Sequence, residues 1–152
     1  VVAGAMSGLI STAPMTAVMR ALWQKLPERE RYPAPPREII DRTTGGGQTA
    51  TLLAHFGYGA LCGAVFGAVA PRHPLAAVGS GMLFGLGVWS GSYAGWLPAV
   101  GLRHSPRYDP VARSGLMIGA HLLWGAVAGL ILGQRPGPTP RAPASTRDPA
   151  RA

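Results

Sequence analysis

Charge divides this chain into segments. Positions 1–19, 43–71, 73–102 and 114–134 contain no Asp, Glu, Lys or Arg. Each stretch is close to or longer than the ~20 apolar residues that cross a ~30 Å hydrocarbon core. The pattern predicts four spans over 1–23, 49–70, 75–97 and 112–133, and so an all-α integral membrane four-helix bundle. A mean hydropathy of only +0.19 is low for such a protein. Twenty-two glycines, fifteen prolines and a polar tail dilute that mean, and the four uncharged runs are the better guide.

Within two of the runs a thirteen-residue pattern recurs. His55, Tyr58, Gly59, Gly63 and Gly67 stand at the same offsets as His121, Trp124, Gly125, Gly129 and Gly133, with Gly-Ala shared at 59–60 and 125–126. A four-residue step returns to nearly the same helix face, so each histidine heads a stripe of three glycines. A weaker likeness extends the repeat: Gly4 and Gly8 match Gly81 and Gly85, and both the first and third spans run out through Trp and Leu-Pro. Two tandem helical hairpins follow, in the same orientation about a pseudo-twofold axis along the membrane normal. Glycine stripes let backbones approach where apolar attraction between helices is weak. The expectation is that the second and fourth helices pack on each other through Gly59, Gly63, Gly67 and Gly125, Gly129, Gly133.

The spans leave no room for a separate soluble domain, which makes residues 1–134 one transmembrane domain. Residues 135–152 carry five prolines, four arginines and no large apolar side chain, the composition of a disordered tail. The chain opens on Val1 inside an apolar run, so further sequence is expected before it; a signal peptide is the weaker reading of the first span because a basic leader region is missing.

A net charge of +8 invites a nucleic-acid reading, but the basic residues are scattered over loops and tail with no binding module around them. Topology explains them better. Nine border the first and third loops, from Arg20 to Arg42 and at Arg103, Arg107 and Arg113, against Arg72 and four arginines of the tail. That count favours the two loops as cytoplasmic. The lipid bilayer is the expected partner, with a second copy or another membrane protein as a further one through any exposed glycine groove.

Candidate chemistry is sparse. By rise per residue His55 and His121 lie roughly 9 and 13 Å inside the face bordered by these loops. No span contains an acid, so neutral imidazoles are expected. One reading makes the pair structural, each bonded to a carbonyl, a hydroxyl or its mate. The other makes them axial ligands of haem b or of a transition metal. A macrocycle would hold the helices wider apart than direct glycine packing allows, so the two readings exclude each other. The expected cofactor is none. Ser80, Ser90 and Ser92 lack a nucleophile motif, Met15 and Met19 read as packing, and so does lone Cys62. Pro14, among Ser11, Thr12 and Thr16, marks a kink whose freed carbonyl a hydroxyl could satisfy. Pro35-Pro36 could open a short interfacial helix on which Glu38 and Arg42 pair.

Pro35-Pro36-Arg37 ahead of a span, His55-x-x-Tyr58 near the start of the second helix, Pro98 and Gly101-Leu102 at the exit of the third, and His121-Leu122-Leu123-Trp124 in the fourth are together similar to the YagU-like family of small bacterial inner-membrane proteins. The first loop is shorter here and the glycine content higher. The resemblance implies an inner-membrane location and no established enzymatic activity. A non-enzymatic structural or accessory role leads, ahead of a bis-histidine haem or metal protein and of a small transporter or channel.

Overall fold

The computed structural model describes residues 1–31, 37, 40, 47–101 and 109–135. They form four long helices and no strand: α1 (Val2–Trp23), α2 (Gln48–Val69), α3 (Pro74–Ala99) and α4 (Val111–Gly133). Each is long and apolar enough to cross a membrane. Their limits fall within about two residues of the expected spans 1–23, 49–70, 75–97 and 112–133. The expected interfacial helix around Glu38 and Arg42 and the proline-rich tail beyond Arg135 lie outside the described residues.

α1 packs along α2 and α3 along α4, while α1 and α4 join the two pairs; α2 and α3 barely meet. The first two contacts are made backbone to backbone. A Cβ on Gly63 would strike the Gly4 carbonyl oxygen and the Gly8 Cα, and one on Gly67 would strike the Gly4 Cα. In the other pair, a Cβ on Gly125 would strike the Gly81 carbonyl, one on Gly129 that of Ala77, and one on Gly85 that of His121. Gly133 lies against Pro74, and Gly59 against the Thr12 hydroxyl. The expected packing of the second helix on the fourth is therefore not what these six glycines make. Close approach needs small residues on both sides at the same four-residue spacing, and Gly4/Gly8 and Ala77/Gly81/Gly85 supply that to the preceding helix of each pair.

The interior of α1 is polar. Ser7, Ser11 and Thr12 are fully buried, and their hydroxyls donate to the carbonyls of Gly4, Ser7 and Gly8 at 2.8, 2.6 and 2.8 Å. Such local bonds satisfy a hydroxyl without a partner helix. α1 runs through Pro14 as one helix, and the hydroxyls bond other carbonyls than that of Ile10, the one Pro14 deprives of its donor. Large apolar side chains point outward instead, among them Leu53, Leu61, Val69, Leu75 and Leu83.

Near its end α3 widens into a π turn, Gly91–Trp96, where Gly95 leaves helical geometry at φ −105°, ψ −107°. Pro98 has no N–H to offer the Ala94 carbonyl, so the α pattern cannot continue there, and Gly91 and Gly95 tolerate the wider turn. Ser92 and Tyr93 within this turn are buried.

At the same end Arg113 is fully buried. Its guanidinium lies 4.6 Å from the Trp23 ring centroid and donates to the Glu30 carbonyl at 3.3 Å. Arg113 thus ties the start of α4 to the end of α1 and to the short 3-10 turn Glu28–Glu30.

Candidate functional site

Beside the π turn lies a cavity of about 230 Å³ lined by residues of all four helices and by Ile40. His55 and Tyr58 of α2, Ser92 and Tyr93 of α3, Met15 of α1 and His121 of α4 line it. Both histidines of the repeat therefore reach one cavity. Their surroundings differ. His121 is 9 % exposed, and its Nδ1–H donates to the Met117 carbonyl at 2.8 Å, an i−4 bond within its own helix. In the neutral imidazole that bond fixes the tautomer and leaves Nε2 as a lone pair. His55 is half-buried, and its ring touches Phe56 edge-on with centroids 6.3 Å apart. Neither Nε2 of His121 nor either nitrogen of His55 has a hydrogen-bond partner among the described residues.

The hydroxyls around the cavity are largely engaged. Tyr58 Oη and Ser92 Oγ share a hydrogen bond of 2.8 Å, the link across the α2–α3 gap, and Tyr93 Oη donates to Met117 Sδ at 3.6 Å. The Tyr93 ring stands edge-on to His121 with centroids 6.0 Å apart. Ser80 and Ser90 bond carbonyls of their own helix. No serine is paired with an imidazole among the described residues, so the geometry offers no activated nucleophile.

Towards the loops the cavity adjoins a vestibule of about 420 Å³ between α1 and α2, with Arg20 and Arg37 at its wall and His55 and Met19 common to both. Deeper, a crevice of about 30 Å³ reaches Cys62, which is buried and unpaired. Beside it Trp124 Nε1 donates to the Gly8 carbonyl at 3.1 Å and to Thr12 Oγ1 at 3.2 Å, closing α4 on α1.

For a haem held by His55 and His121 the cavity between them is small. Cofactor pockets generally run from ~300 Å³ upward, and the cavity is smaller than that. The space beneath each histidine, where a macrocycle would lie, is filled by the backbones of α1 and α3 against the glycines. For a metal ion, no cluster of three or more His, Cys, Asp or Glu forms among the described residues, while structural sites use four such ligands. Sequence reasoning weighed Ser92 and Tyr93 as hydroxyls of the third helix and missed Trp96 and Leu97 as lining residues. Their signal was present in Gly91, Gly95 and Pro98, which together mark an interrupted helix.

Compared with protein-family models, with curated proteins and with solved structures, the chain finds no match.

Proposed function

We propose that this chain is a multi-pass protein of a bacterial inner membrane, built as two tandem glycine-packed hairpins, with a non-enzymatic, accessory role exercised through ligand binding in the cavity at its loop end. One observation carries the membrane part: hydroxyl-bearing Ser7, Ser11 and Thr12 are buried while Leu53, Leu61, Val69 and Leu83 face outward. That distribution suits a hydrocarbon solvent and would be costly in water. The inner membrane rests on the arginine-rich first and third loops and on the motifs shared with YagU-like proteins. Ligand binding rests on the unpartnered Nε2 of buried His121. An intramembrane polar group that is not internally satisfied points to a functional site.

The test is fractionation followed by reporter fusions. Alkaline carbonate should leave the full chain in the inner-membrane pellet. Alkaline phosphatase fused in the first or third loop should stay inactive, and fused next to Arg72 it should be active. Release by carbonate, or the reverse fusion pattern, would defeat the membrane reading or its orientation.

A further inference from the structure

We propose that the cavity binds a one-ring aromatic hydroxyl compound, a phenol or a hydroquinone headgroup, whose O–H donates to His121 Nε2. The proposal deepens the ligand-binding reading above and rests on it. His121 supplies the first reason. With Nδ1–H committed to Met117, its Nε2 can only accept. Of the neighbouring hydroxyls, Tyr93 bonds Met117 Sδ and Tyr58 and Ser92 share one bond, and none of the three bonds His121 Nε2, while His55 keeps one N–H on the same cavity. An acceptor that opens on the cavity with no protein donor of its own can take an O–H from an arriving ligand.

Size and walls supply the second reason. An apolar cavity of ~150 Å³ is enough for benzene. At about 230 Å³ this one has room for a substituted ring and for little more. Tyr93, Trp96, Leu97 and the thioethers of Met15 and Met19 wall it, flat or adaptable surfaces against which a ring packs well.

Access supplies the third. α2 and α3 scarcely touch, and Tyr58 and Trp96, which line the cavity, are 39 % and 47 % exposed. A bilayer-dissolved molecule enters there without crossing water, and any hydrocarbon tail stays between the helices and the lipid. The Nε2 lone pair also sets a preference: it attracts a hydroxyl and repels the carbonyl oxygen of the oxidised ring. At that contact the hydroquinone is preferred over the quinone, as a binding preference with no electron transfer involved.

The full chain in detergent, kept anaerobic, is titrated with trimethylhydroquinone, trimethylbenzoquinone and toluene, followed by calorimetry. Trimethylhydroquinone should bind about tenfold or more tightly than the quinone, the scale of one buried hydrogen bond. His121→Phe should erase that preference, by weakening hydroquinone binding about tenfold and removing the repulsion of the quinone carbonyl. In the wild type, which needs no variant to fold, the ¹⁵N resonance of His121 Nε2 should move with hydroquinone and stay in place with quinone. Equal binding of the two rings would overturn the hydroxyl proposal and leave the ligand cavity standing. Failure of both rings and toluene to bind would overturn both, and a water-filled cavity would be the remaining account. A decyl-tailed hydroquinone separates the sources: tighter binding than the tailless ring assigns the site to a lipid-dissolved ligand, and equal binding to a free phenol.

Discussion

The two copies of the thirteen-residue pattern build opposite sides of the molecule. On the α4 side, Trp124 is buried and its indole N–H bridges Gly8 and Thr12, so α4 closes on α1. On the α2 side, the residue at the same offset is Tyr58, which reaches α3 through one hydroxyl bond to Ser92 and stays 39 % exposed. That side remains open, and the cavity lies there. The glycines, by contrast, act alike in both copies, each stripe resting on the helix before it. One motif therefore fixes packing inside each pair. The aromatic three residues after the histidine, with the irregular end of α3, decides whether the pairs close on each other or leave a gap.

The glycines should give the largest effects. Gly63→Leu or Gly129→Leu drives a side chain into opposing backbone that cannot yield as a side chain would. Either is expected to cost roughly 1–3 kcal/mol or more, the scale of overpacking, in denaturant titration of detergent-solubilised protein. Gly87 and Gly115 have nothing within 4 Å of a Cβ. Gly87→Ala and Gly115→Ala should be neutral or stabilise by up to about 1 kcal/mol through helix propensity, and a loss of stability there would show that these faces are also packed.

Arg113 comes next, because its side chain is wholly enclosed where α1, α4 and the 3-10 turn meet. Arg113→Met removes the hydrogen bond and the stacking of a cation on Trp23, together about 1–3 kcal/mol. Trypsin should then cleave faster after Lys25 and Arg29. Unchanged cleavage would mean that the turn is held by other contacts.

The aromatic pair distinguishes the two sides most finely. Trp124→Phe keeps the ring volume and loses both acceptors, for about 0.5–1.5 kcal/mol. Tyr58→Phe loses one partly exposed bond and should cost less than Trp124→Phe. An equal or larger loss from Tyr58→Phe would mean that the α2–α3 side is as closed as the other.

Much of this was legible in the sequence, and for identifiable reasons. The positions of the four helices followed from the charge-free runs, although α1 continues past Arg20 and α4 begins before Arg113. The joint placement of His55 and His121 followed from their equal offsets in the repeat. The partners of the glycine stripes did not. A stripe such as Gly59, Gly63, Gly67 announces a flat face without saying what lies opposite, and two stripes in one repeat suggested each other. The matching spacing of Gly4 and Gly8, and of Gly81 and Gly85, was the information that would have assigned them. The cavity was hidden for a different cause: it is lined by the segment where α3 leaves its regular period, and periodic reasoning is blind to a change of period. The tail of Arg113 reads as a loop charge until the fold brings Trp23 and the Glu30 carbonyl around it.

The account stands most directly on a double-mutant cycle among the glycines. Gly8→Ala with Gly63→Ala, and Gly81→Ala with Gly125→Ala, should be non-additive by about 0.5–3 kcal/mol, because each pair shares one backbone contact. Gly63→Ala with Gly129→Ala should add within about 0.5 kcal/mol, as distant sites do. Strong coupling between Gly63 and Gly129, with none between Gly8 and Gly63, would place the second helix on the fourth and contradict the account.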